Sequence, residues 1–462
     1  MIDIQLSSRI PYLSLLLILV LPLSAMMQSK RDRDQSKAFL SEADKAYAVK
    51  DYRGAAEKFG KALLLVPTNP YAYYKKGFAH FNLKENPEAI SSLNQALAQG
   101  YKPLDIYRVR LFIYFIEKDY SAALGDIEKG LKLAPNDVSL LTAQGEILLE
   151  QKSYSEAAKS FEKVIKLEPN SADIYYNLAR LKYATGDSDA QAAFAESALA
   201  KGTRFPAEAF FLLGDAKSKQ KNSAAAIDAF QRSVSLKPEV YRTYGALSEL
   251  LRAENRLDDA VNVLKQGLRA FPNNGEIYTE LSWLYSLLDR PDEAVDAARA
   301  GIAILPDKPN AYTNLCRALN ETKKYELAIG ACNSALKLKP DDGETYFYLG
   351  RAFNLTGRSS QATKYYGQAV SGLEDHVIKN SQSPDGWYLL GNAYFADNQR
   401  DKAIAAYLKS LELSPKFSKA RFNLGIIYVL QKNKPASSAQ YSELLPLNAK
   451  LAAALKAEID KI

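Results

Sequence analysis

The chain has 462 residues, of which 47% are hydrophobic and 24% charged, with only two cysteines and two histidines. That balance is ordinary for a folded chain, and two histidines leave little to hold a metal. The net charge of +7 is spread thinly, with no dense Lys/Arg run, so a nucleic-acid reader, which needs a clustered basic face, is not expected.

The first element is residues 10–27, IPYLSLLLILVLPLSAMM, an uncharged segment with a dense apolar core at 15–21. The core has the length of a signal-peptide apolar region, and the whole span could just cross a bilayer. Pro22 and the small pair Ser24–Ala25 favour cleavage after Ala25. Leu23 and the thin charge before the core favour an uncleaved anchor. Both readings stay open. Either one puts residues 36–462 in the periplasm or elsewhere in the cell envelope, although an anchor with LysArgAspArgAsp (30–34) behind it could keep them cytoplasmic. No cysteine ends the core, which excludes a bacterial lipoprotein anchor. Membrane contact is expected through this segment alone, and residues 28–35 read as a polar linker.

From residue 36 one pattern recurs about every 34 residues. Units at 36–69, 70–103, 104–137 and 138–171 carry Ala55/Phe59/Ala62/Pro67, Ala89/Leu93/Ala96, Ala123/Ile127/Gly130/Pro135 and Ala157/Phe161/Val164/Pro169 in their second halves. A fifth unit, 172–206, is irregular. Ala190 and Phe194 keep the spacing there only if the first loop is one residue short, and KGTRFP lengthens its end. Units six to ten start at 207, 241, 275, 309 and 343 without a slip and end at 376. An insertion, 377–383, precedes units eleven and twelve (384–446), the last degenerate in its second half. Residues 447–462 read as a helix with Leu447, Leu451, Leu455 and Ile459 on one face, suited to cover the open end of a stack. Strand signals are almost absent.

The unit at 384–417 shows the pattern best. Trp387, Leu390, Gly391 and Tyr394 recur at three and four residues, one face of a helix. A polar turn follows, then Ala403, Tyr407 and Ser410, and Pro415 ends the unit. Two antiparallel helices approach closely only at small side chains, so Gly391 is expected to face Ala403. Written as W-x2-L-G-x2-Y, A-x3-(F/Y), P, the unit resembles the tetratricopeptide repeat (TPR), and the resemblance extends over nearly everything after residue 35. It implies an all-α chain, an α-solenoid of helix–turn–helix TPR hairpins forming a right-handed superhelix with a C-terminal capping helix. It also implies a concave groove lined by the first helices, at positions 2, 5, 6, 9, 12 and 13 of each repeat.

Carried over residue by residue, those positions give two kinds of groove. Repeats 2 and 3 supply Tyr71, Tyr74, Lys75, Phe78, Phe81, Arg108, Phe112 and Phe115. Exposed aromatics of this density would mark a binding site; the alternative is that they pack on one another or under the N-terminal segment. Repeat 5 gives Tyr176, Asn177, Arg180 and Tyr183, and repeats 9 to 12 give Asn310, Asn314, Arg317, Asn320, Tyr348, Arg351, Asn354, Tyr388, Asn392 and Asn423. An Asn ladder can hold an extended peptide backbone, and Arg can take a carboxylate; the alternative is a solvated face. The Lys/Asn, Asn, Lys/Arg succession of the family's chaperone-tail clamp is broken, since Glu344 and Tyr348 follow Asn314.

Cys316 and Cys332 both face the interior of repeat 9 and could form a disulfide in an oxidising compartment, or remain buried thiols. His80 reads as a core-edge filler and His376 as exposed, and Asp and Glu are expected on solvated helix faces. No catalytic constellation, metal site, phosphate loop or cofactor motif is found. The chain is therefore expected to be a non-enzymatic scaffold without cofactors that holds a protein or peptide ligand. Similar arrays serve bacterial polysaccharide export, so a glycan-contacting scaffold is the alternative.

Overall fold

The computed structural model describes the backbone from Leu17 and side chains from Ser29 to Ile462. The start of the apolar segment therefore lies outside the described residues. Among these residues there are helices and no strand, and no helix is long and apolar enough to cross a membrane. The chain divides into two units. The first contains α1 (Leu17–Ala48), α2 (Tyr52–Leu65), α3 (Pro70–Asn82), α4 (Asn86–Ala98), α5 (Pro103–Glu117), α6 (Tyr120–Leu133), α7 (Val138–Glu150) and α8 (Tyr154–Leu167), and the division falls inside α9 (Ala172–Thr185). The second contains α10 (Ser188–Ala200), α11 (Pro206–Lys219), α12 (Ser223–Leu236), α13 (Tyr241–Ala253), α14 (Leu257–Ala270), α15 (Gly275–Leu287), α16 (Pro291–Ile304), α17 (Pro309–Glu321) and α18 (Tyr325–Leu338). It continues with α19 (Gly343–Leu355), α20 (Ser359–Lys379), α21 (Pro384–Ala396), α22 (Arg400–Leu413), α23 (Ser418–Leu430), α24 (Lys434–Leu444) and α25 (Ala449–Ile459). In each unit, successive helices pair as hairpins and each hairpin packs on the next.

The hairpins are punctuated by local chemistry. Asp51, Asp119, Asp187, Asn222 and Asn433 each accept a backbone N–H from the first turn of the helix they precede. Just before them, one left-handed residue ends the previous helix, at Lys50, Lys84, Lys118, Lys152 and Gly186, then Lys221, Asn255, Asp289, Lys323 and Gly357, then Asn398 and Lys432. The spacing is regular within each run. Gly186 is thus in step with Lys152, and the fifth repeat keeps its full first turn, contrary to the shortened loop expected there. The true register places Gln191, not Ala190, at the small position of α10, and Ala195, not Phe194, one turn further along the same face. Gln191 is fully buried, and its amide donates to the Leu212 carbonyl (2.7 Å) and to Asp215 (3.0 Å). The surplus residue lies in the turn before α11. The insertion at 377–383 begins as helix, lengthening α20 to 21 residues.

Several hairpins close on a small-to-large contact across their two helices. A Cβ on Gly145 would stand 2.3 Å from the Phe161 ring, and one on Gly391 would stand 2.6 Å from Tyr407. The side chain nearest to Gly391 is therefore that ring. Repeat 9 has cysteines at the same two positions, and the structure joins Cys316 to Cys332 with Cα atoms 5.2 Å apart. Carboxylates are not confined to solvated faces. Asp126 is buried inside the α5–α6 hairpin, where Arg110 Nε donates to it at 2.8 Å. At the C-terminus, α25 lays Ala452, Leu455 and Ile459 against Val429 and Leu444, the covering role its sequence suggests.

Candidate functional site

Helix α5 has the sequence PLDIYRVRLFIYFIE, which is apolar around most of its circumference. Ile106, Leu111 and Ile113 face the core, so the opposite side has to show its apolar groups to water. Phe112 is 61% exposed, Ile116 54% and Phe115 37%. The neighbouring face of α3 adds half-buried rings: Phe81 meets Phe112 edge-on at 6.0 Å, and Tyr74 lies between Phe78 (4.9 Å) and Tyr101 (4.3 Å). Burial pushes the Tyr74 phenol up to about 12, so it stays neutral. Tyr71 belongs to the packing more than to the face, because its hydroxyl donates to Asp44 at 2.8 Å. Arg108 is exposed but engaged by Asp137, the residue that caps α7. His80 is half-buried and bonded to Glu85 at 2.7 Å. Further along the first unit, Asn177 donates to Glu146 (2.9 Å), and Arg180 pairs with Glu150 (2.7 Å) and lies over the Tyr176 ring.

In the second unit the Asn and Arg positions do not form a free ladder. Asn314 donates to the Thr279 carbonyl (2.8 Å) and Asn320 to the Tyr348 carbonyl (3.1 Å). Asn392 accepts from the Tyr407 hydroxyl (2.6 Å) and from the Asn423 amide (2.8 Å). Tyr388 is buried beside Tyr407 and Phe417. Arg317, only 3% exposed, donates Nε to the Tyr348 hydroxyl (2.7 Å), pairs with Glu344, and lies between the Trp283 ring (3.9 Å) and the Tyr348 ring (4.9 Å). Consecutive first helices thus spend these donors on one another. Asn310 and Asn354 are exposed, and Arg351 is half-buried.

The stack in this unit also curls until distant turns meet. Arg252 pairs with Asp385 (2.7 Å), Lys416 pairs with Glu254, and Lys450 pairs with Asp289 (2.5 Å). Asn255 donates to the Leu447 carbonyl (2.7 Å) and accepts from Ser418 (2.9 Å), and Lys419 reaches the Ser286 carbonyl (2.5 Å). Two large cavities lie among the described residues of this unit. One, of about 860 Å³, is lined by Trp283, Tyr348, Arg351, Tyr388, Asn392 and Lys419, among others. The other, of about 1090 Å³, is more acidic and includes Glu276, Glu280, Asp342, Glu344 and Asp385. Trp283 and Arg317 belong to both walls. Trp283, Glu321 and Lys419 were not singled out in the sequence, yet they stand at positions 9, 13 and 2 of their repeats, so the same positional rule applied to every repeat reaches them.

Family models described as tetratricopeptide repeat match residues 40–102, 207–240 and 251–319, and one described as TPR repeat matches 145–186 and 391–432. Together these segments span more than half of the sequence, and the chain belongs to the tetratricopeptide-repeat proteins. No curated protein sequence matches it. Among solved structures it is similar to PilW, described as a widely conserved type IV pilus biogenesis factor (21% identity, 47% of this chain and 100% of that one, TM-score 0.42). It is also similar to YrrB, described as a TPR protein with an unusual peptide-binding site (19%, 40% and 95%, TM-score 0.35), and to yeast Tom70 (14%, 92% and 96%, TM-score 0.39).

Proposed function

We propose that this protein is a non-enzymatic scaffold that docks an apolar stretch of a partner protein on the α3–α5 face of its first unit. The observation that carries the reading is the exposure of Phe112, Phe115 and Ile116 on one helix, beside further rings on the next. Three large apolar side chains together in water favour burial by a partner, and aromatics of this kind dominate interface energetics. The scaffold works outside the cytoplasm, either exported or held by its N-terminal segment; the Cys316–Cys332 bridge supports this, because disulfides persist in oxidising compartments. A glycan-contacting role draws no support from Tyr348, which is buried with Arg317 lying over its ring. The test is partner capture by the full chain carrying Phe112→Ala and Ile116→Ala. Loss of capture with an unchanged melting curve is expected, and undiminished capture refutes the reading.

A further inference from the structure

The smaller cavity of the second unit carries an unbalanced set of charges. Its wall holds four cations, Arg317, Arg351, Lys419 and Lys450, and two carboxylates, Glu321 and Asp289. Lys450 and Asp289 satisfy one another. Of the rest, Arg317 uses Nε and Nη2 on Tyr348 and Glu344, while its Nη1 is buried without a partner. Arg351 makes no ion pair or hydrogen bond among the described residues. Lys419 has only the Ser286 carbonyl. Burial pushes the Lys419 amine down, and the nearby charges of Arg317 and Arg351 add to this against Glu321 and Asp289. Two cations, Arg351 and Lys419, and the open Nη1 edge of Arg317 thus meet at one cavity with a single free carboxylate, Glu321, whose Oε2 is itself buried without a partner. Buried charge of this kind is costly until a counter-ion arrives. The remaining wall is largely aromatic, with Trp283, Phe347, Tyr388, Phe395 and Phe422.

We propose that this cavity is a binding site for a small organic anion with an aromatic body, its acid group held by Arg317 Nη1, Arg351 and Lys419 and its ring by Trp283 and Tyr388. The volume, about 860 Å³, falls in the range of small-molecule sites. Ion pairs tie α13 and the turns after α13 and α15 to α21, to the turn before α23 and to α25, and the ligand taken here is a free molecule rather than the middle of a chain. The site is separate from the α5 face, and either proposal can fail alone.

The chain has two tryptophans, Trp283 and Trp387. A Trp387→Phe variant of the full chain leaves Trp283 in the cavity wall as the only reporter. It is titrated with phenylacetate and 4-hydroxyphenylacetate, with phenylacetamide as the neutral control and the tripeptide Gly-Gly-Phe as a chain-end control. The expected result is saturable quenching by both acids, at least about tenfold weaker binding of the amide, and a similar loss for the acids when Arg351→Gln is added, because a charged hydrogen bond is lost in each case. Tripeptide binding tighter than that of the free acids would overturn the small-molecule assignment. Absence of saturable binding by the acids, equal binding of acid and amide, or full affinity in a folded Arg351→Gln protein would overturn the anion site itself. The comparison of acid with amide needs no mutation in the cavity, so it stands even if the Arg351 variant is poorly folded.

Discussion

Replacing Arg317 with Met tests how the second unit holds its interior together. Arg317 is almost wholly enclosed, and its partner Glu344 keeps about a quarter of its side chain in water (25%). Met fills much of the same space between Trp283 and Tyr348 but leaves the Glu344 carboxylate without its cation. Breaking a buried pair on one side costs about 3–5 kcal/mol, and the partial hydration of Glu344 puts this case near the lower end, about 3 kcal/mol. Adding Glu344→Gln removes the orphaned charge, so the double variant is expected to lie within about 1 kcal/mol of the parent, about 2 kcal/mol more stable than the single variant. Both tryptophans lie in the second unit, so urea unfolding followed by tryptophan fluorescence reports that unit alone. A single variant that costs less than about 1 kcal/mol, or a double variant as unstable as the single, would refute this account of the pair.

Three further outcomes are expected. The Cys316–Cys332 bridge closes a loop with a sequence separation of 16, and by chain entropy its removal through Cys316→Ser with Cys332→Ser should cost about 3 kcal/mol; two free thiols titrated in denatured, unreduced protein would remove the bridge from the account. Glu280 is held above the usual carboxylate range, chiefly by burial, although Ser248 donates to it at 2.8 Å. The folded state thus binds this proton more tightly than the unfolded state, and its stabilising effect is complete below the ordinary Glu value and lost as pH rises through the raised one. Glu280→Gln should therefore be more stable than the parent near pH 7, with the advantage vanishing towards pH 4; a pH-independent difference in melting would contradict this. In the first unit, Gly145→Ala drives a methyl into Phe161 and should destabilise by about 1–3 kcal/mol. Gly125→Ala, which meets open space inside α6, should stabilise by up to about 1 kcal/mol; circular-dichroism melts that move both variants in one direction would refute the packing argument.

The hairpins were legible because their signals are local. The 34-residue period, the small-to-large positions and the capping Asp and Asn side chains act within one repeat or between adjacent ones. For that reason the same pattern is silent about what meets several repeats away. Asn255 touching Leu447 and Arg252 touching Asp385 depend on the accumulated curvature of many repeats, which no single motif encodes. In the fifth repeat Ala190 and Phe194 imitate the A-x3-F spacing one residue out of step, while Gly186 and Asp187 in the turn fix the register. A buried Gln in a small-residue position is invisible to an apolar pattern until its partners, Leu212 and Asp215, are in place. The groove rule found Phe112 and Arg317 alike. It could not tell that one faces water and the other is stacked between two rings, because that depends on the neighbouring helix.

The docking face on α5 is tested most directly by a photo-crosslinking residue at position 112 in the cells that make the protein, with one at Leu133 as the control. Leu133 is about as exposed, at 58%, but lies on α6 outside the aromatic face. A discrete protein adduct from position 112, absent from position 133 and lost with Ile116→Asp, is the result this account predicts. No adduct from position 112, or the same adducts from both positions, would contradict it.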